Sequence, residues 1–109
     1  MAADPDGPVV MLNLVRFVPG GAETYAEYFR RLASSGIQER YGVTIVYSGI
    51  GHASLVGEEG GDWDMVVLVR YPSLRHFTDM VADPDYRVIE RLRAESVATA
   101  VLQPTTPVG

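Results

Sequence analysis

Val9-Val10-Met11-Leu12-Asn13-Leu14-Val15-Arg16-Phe17 and Trp63-Asp64-Met65-Val66-Val67-Leu68-Val69-Arg70-Tyr71 are the stretches whose reading decides the fold. Both are branched and apolar. Pro19-Gly20-Gly21 follows the first, Gly60-Gly61-Asp62 precedes the second and Pro72-Ser73 follows it. Apolar runs of this length between turn residues read as strands. A sheet with one wet face alternates apolar and polar residues. These strands do not: Val9, Met11 and Val15 lie on one face of the first, and Val10, Leu12 and Leu14 on the other. In the second, Met65, Val67 and Val69 oppose Val66 and Leu68. Both faces therefore need a cover.

Working outward, Ala22 to Ser35 carries Tyr25, Tyr28, Phe29 and Leu32 at i, i+3, i+4 and i+7, the apolar stripe of a helix. Glu27 and Arg31 form a favourably ordered surface pair on it, and Gly36 is placed to end it in the left-handed conformation. Val43 to about Leu55 reads as a further strand, with Gly49 and Gly51 marking a bend or bulge. A turn over residues 58–62 makes it a hairpin with 63–71. Ser73 caps a short helix through Val81. Asp83 caps and Pro84 begins another, which runs to about Ser96 with Tyr86, Ile89, Leu92 and Arg93 inward. Val97 to Leu102 is the last strand.

The order is β-α-β-β-α-β, a ferredoxin-like α+β arrangement with one antiparallel sheet and helices on one face. The expected organisation is a flexible lead-in over residues 1–8, a single domain over 9–103 and a tail over 104–109. Helices cover one face of the sheet only. The simplest cover for the other is a second copy of the same sheet, so a homodimer is expected. Met65 and Val67 are trial interface positions, and the strand parity that faces the partner is left open by the pattern.

Composition narrows the function classes. The chain has 109 residues, 14 acidic and 9 basic side chains, a formal charge of -5, no lysine and no cysteine. Nucleic-acid binding needs clustered cations to neutralise phosphates, and the arginines here are dispersed, so neither nucleic acid nor an anionic membrane is an expected partner. Without cysteine there is no disulfide, no thiolate nucleophile and no Cys-ligated metal. The start lacks a signal peptide's basic and apolar regions, and no apolar run approaches the ~20 residues of a membrane span, so a cytoplasmic protein is expected.

Motifs are few. Ser48-Gly49-Ile50-Gly51-His52-Ala53 falls short of a dinucleotide fingerprint, because Ser54 stands where the third glycine belongs. His52 and His76 are the two histidines. No ligand spacing connects them, so they read as surface or hydrogen-bonded side chains before metal ligands. Asn13 sits mid-strand among apolar neighbours and is either a pocket donor or a dimer-interface or loop hydrogen bond. Arg70 reads first as one half of an ion pair, Trp63 as packing at one end of the sheet, and Tyr25, Tyr28 and Tyr86 as core aromatics.

Residues 9–17, Tyr25-x-x-Tyr28, Gly61-Asp62-Trp63-Asp64, Arg70-Tyr71-Pro72-Ser73 and Asp83-Pro84-Asp85-Tyr86 together resemble a domain-of-unknown-function family. That family belongs to the dimeric α+β barrel superfamily, with the antibiotic-biosynthesis monooxygenases, EthD-like and NIPSNAP proteins. The resemblance spans about residues 8–104. It implies a homodimer whose two sheets form a barrel, with a cleft between sheet and helices in each subunit. No catalytic motif of the characterised branches is matched residue by residue.

The expected function is that of a small-molecule enzyme without a tightly bound cofactor or metal, of acid–base, cyclase, isomerase or cofactor-free oxygenase type. Its substrate would be a hydrophobic carbonyl-bearing or cyclic molecule. The alternative is a non-catalytic homodimer that binds a ligand or serves structure. Pockets of this kind are mostly apolar with a few convergent polar groups. His76, His52 and Arg70 are the catalytic candidates, because an imidazole exchanges protons near neutrality and an arginine stabilises an oxyanion. Asn13, Tyr28, Tyr47, Trp63 and Arg93 are the candidate substrate-binding residues.

Overall fold

A computed structural model describes residues 6–58 and 61–108 of the chain. Most of the expected lead-in, Glu59 and Gly60 of the expected turn, and Gly109 lie outside the described residues. The elements are β1 (Val9–Phe17), α1 (Gly21–Ser34), α2 (Ile37–Tyr41), β2 (Thr44–Ile50), β3 (Met65–Tyr71), α3 (Leu74–Ala82), α4 (Pro84–Ser96) and β4 (Val97–Thr105). The four strands form one antiparallel sheet in the order β2-β3-β1-β4, the α+β ferredoxin-like arrangement. Among the described residues no helix is long and apolar enough to cross a membrane.

Local chemistry sets the helix ends. The Ser73 hydroxyl accepts from the His76 backbone N–H at 3.2 Å, and the Asp83 carboxylate accepts from that of Asp85 at 2.8 Å. Pro84, which has no N–H to lose, starts α4. Gly36 takes φ 82 just past the α1 cap, as its position predicts. The following residues, Ile37-Gln38-Glu39-Arg40-Tyr41, form a short helix that the periodicity does not announce. Its anchor is Ile37, wholly buried.

β2 starts one residue late, at Thr44, and three other strand ends differ from expectation. β2 stops at Ile50 and does not reach Leu55, because the chain closes there. The Gly51 N–H donates to the Asp64 carbonyl at 2.8 Å, and a Cβ on Gly51 would stand 1.8 Å from the Trp63 carbonyl oxygen. The irregularity in β2 is the register shift between Ile45 and Tyr47, at Val46, and not a glycine bend. β3 starts at Met65, since Asp64 turns its carboxylate back to accept from the Phe17 N–H. β4 continues through Pro104 to Thr105. It is an edge strand, where a missing N–H need not cost a ladder bond.

All the helices lie on one side. They bury Val9, Met11, Asn13 and Val15 of β1 with Val67, Val69 and Tyr71 of β3. Met65 and Val67 therefore face the helices, which removes them as interface positions. The other side carries Val10, Leu12 and Leu14 of β1, Val66 and Leu68 of β3, Tyr47 of β2 and Val101 of β4. No element among the described residues covers that face. The fold is a slab of 37 × 35 × 18 Å, the depth of one sheet and one helical layer.

Candidate functional site

α1 and α4 pack side by side over the sheet, and a cavity of about 150 Å³ lies between them, β1, β3 and α3. Its apolar lining includes Leu32, Ile45, Val67, Val69, Phe77 and Val81. Its polar groups come from Asn13 on β1, Tyr25 and Tyr28 on α1, Tyr71 on β3, and Tyr86, Glu90 and Arg93 on α4. The α4 residues recur at i, i+4 and i+7, which sets all three on one stripe of the helix.

The phenols form a packed cluster. The Tyr28 and Tyr86 hydroxyls share a hydrogen bond of 2.9 Å. The Tyr25 ring stacks on that of Tyr28 at 5.8 Å between centroids and meets Phe29 edge-on at 5.1 Å. Burial pushes Tyr28 and Tyr71 well above the ordinary phenol range, and Tyr25 and Tyr86 upward as well, although Arg93 pulls in the other direction. At neutral pH all four are uncharged hydroxyls that can donate or accept a hydrogen bond but cannot serve as anionic bases.

Arg93 sits beside the Tyr25 hydroxyl. Among the described residues it forms no ion pair, nor does Glu90, one turn away on the same helix. A guanidinium and a carboxylate thus line one cavity without neutralising each other. Asn13 is anchored by its side-chain nitrogen, which donates to the Met11 and Val67 carbonyls at 3.4 Å each.

Of the eight expected site residues, Asn13, Tyr28 and Arg93 line this cavity. The other five do not. His76 is exposed, and its Nδ1 lies 2.6 Å from the Ser73 hydroxyl at the start of α3. His52 is exposed in the β2–β3 connection, beyond the point where β2 ends. Arg70 and Tyr47 point to the uncovered face: Arg70 has the parity opposite to Val69, and the register shift at Val46 pairs Tyr47 with Leu68. Arg70 forms no ion pair among the described residues. Trp63 lies under the Arg16 guanidinium, 4.4 Å from its ring centroid. A histidine-based proton transfer in this cavity is therefore set aside. Glu90 and Tyr25 also line the cavity without being among the expected site residues; the spacing of Glu90 from Tyr86 and Arg93, and of Tyr25 from Tyr28, is the signal in the sequence.

A second, larger cavity of about 460 Å³ adjoins the first where β2 ends and β3 begins. Tyr25 and Phe29 line both cavities. Phe17, Ala22, Ala26, Ile50 and Asp64 are among its other walls. Among the described residues no three His, Asp or Glu side chains converge as a metal-binding group.

A protein of unknown function from Rhodopseudomonas palustris, RPA0582, is 36% identical over 95% of this chain and 85% of its own, with a TM-score of 0.82. A candidate antibiotic biosynthesis monooxygenase from Bacteroides thetaiotaomicron is 18% identical over 96% of this chain and 93% of its own, with a TM-score of 0.67. A dimeric protein of unknown function and ferredoxin-like fold from Bacteroides fragilis is 11% identical over 91% of this chain and 95% of its own, with a TM-score of 0.61. At those two lower identities the likeness is one of fold. No family model and no curated protein matches the chain.

Proposed function

This chain belongs to one family with RPA0582 of Rhodopseudomonas palustris, and on that premise we propose that it is a homodimeric acid–base enzyme that enolises a small carbonyl compound. The observation that carries this reading is that Glu90 and Arg93, on one turn of α4, face the same tyrosine-lined cavity and form no ion pair among the described residues. The Glu90 carboxylate takes a proton from the carbon beside the carbonyl. The C–H electron pair moves into the new C=C bond, and the carbonyl oxygen becomes an enolate. Arg93 and the neutral Tyr25 hydroxyl hydrogen-bond that oxygen, an interaction strengthened where water is excluded. Return of the proton to the same or a neighbouring carbon completes an exchange or an isomerisation, with no other reactant consumed.

The cavity favours a small substrate, since an apolar cavity of about 150 Å³ holds one benzene ring. Cyclohexanone is therefore the first probe. In D2O, NMR is expected to show its α-protons exchanging faster with the protein than in buffer. Glu90→Gln should lower that rate by about 10²-fold or more, the usual contribution of a positioned base. Arg93→Gln should lower it by about 10²-fold through the enolate. Cyclohexanone that binds but never exchanges would convert the reading to a ligand-binding module. Exchange that survives both substitutions would end it.

A further inference from the structure

The two cavities are separated by side chains. Tyr25 and Phe29, one turn apart on α1, line both, and their rings meet edge-on at 5.1 Å. The inner chamber holds the polar groups, while the outer one is walled mainly by Phe17, Met65, Ile50, Ala22 and Ala26. Its one charged wall residue is Asp64, whose carboxylate already accepts from the Phe17 N–H. Ala22 and Ala26 are also one turn apart on α1, and the smallness of their side chains leaves room along the helix for an occupant. The outer chamber thus offers apolar surface, and the inner chamber is too small for more than one ring.

We propose that the ligand is elongated: a carbonyl head in the inner chamber, beside Glu90 and Arg93, and an apolar tail that passes Tyr25 and Phe29 into the outer chamber. Ala22 and Ala26 then set how much tail is accepted. The placement of the head rests on the enolisation reading above; the tail site stands on the shared walls of the two cavities.

The test is binding of cyclohexanone and its 4-methyl, 4-propyl and 4-pentyl derivatives, measured by calorimetry on the intact protein. Each buried methylene contributes roughly 0.8 kcal/mol, about a 4-fold gain in affinity, so the pentyl compound should bind on the order of 100-fold more tightly than the methyl one. Ala26→Leu, at an exposed helical position, fills the outer chamber and should reduce that ratio to a few-fold. Ala22→Leu should do the same. The readout is the ratio within each variant, which a general loss of head binding leaves unaltered. A flat series in the natural protein, or an equally steep one in both variants, overturns the proposal. A steep series in which no ketone exchanges its α-protons keeps the tail site and removes the enolisation reading. Exchange dependent on Glu90 with a flat series does the reverse.

Discussion

Asn13 shows at the scale of one residue how the cavity wall is held. It lies between Met11 and Val15 on the helix-covered face of β1, where an unpartnered amide would be costly. Its nitrogen instead bridges two backbone carbonyls, one on its own strand and one on β3. Asn13→Asp would replace that donor with a carboxylate facing two carbonyl oxygens. It should destabilise the fold by about 2 kcal/mol or more, read as a lower denaturant midpoint at pH 7. An unchanged midpoint would mean that the amide does not hold the wall. Glu90 and Arg93 belong to the same scale, and their substitutions by Gln test chemistry where Asn13→Asp tests support.

At the scale of elements, the caps and the strand ends obey different rules. Ser73 and Asp83 were legible because capping is a matter of adjacent residues: a short side-chain oxygen reaches an N–H two or three positions on. Ser73→Ala removes the acceptor for the His76 N–H and the partner of its ring, and should cost about 1 kcal/mol in equilibrium unfolding. A cost near zero would show that water replaces the cap. The ends of β2, β3 and β4 were not legible, because the partner strand decides them. At Gly51, just past the end of β2, the backbone bonds to the Asp64 carbonyl thirteen positions later and passes so close to the Trp63 carbonyl that no Cβ would fit. α2 escaped notice because five residues hold too little of the helical period to register.

For the whole molecule, the uncovered sheet face is the feature with the largest consequence. Val10, Leu12, Leu14, Val66, Leu68 and Val101 form an apolar surface on a slab 18 Å thick. The proposed homodimer would form through this face, so Leu68→Asp should leave a folded monomer in sedimentation experiments, because a charge in an apolar contact is expensive to desolvate. Val67→Asp, one position along on the helix side, should unfold the protein by circular dichroism. If Leu68→Asp and the natural protein sediment alike, this face is not the interface.

The sequence by itself determined the order of the four strands and the three longer helices, the caps of α3 and α4, and the apolarity of both strand faces, since each depends on neighbours along the chain. It also placed Asn13, Tyr28 and Arg93 among the pocket candidates. Only the tertiary structure decided which strand parity lies under the helices: the alternation within a strand is local, but both faces of β1 and β3 are apolar enough to be the inner one. That one choice put Val67 inside and turned Arg70 to the uncovered face, where the register shift at Val46 also sends Tyr47, and it left the cavity to the α1 tyrosines and the Tyr86, Glu90 and Arg93 stripe of α4. Both histidines fell outside it, because their positions depend on where β2 ends and how α3 is capped.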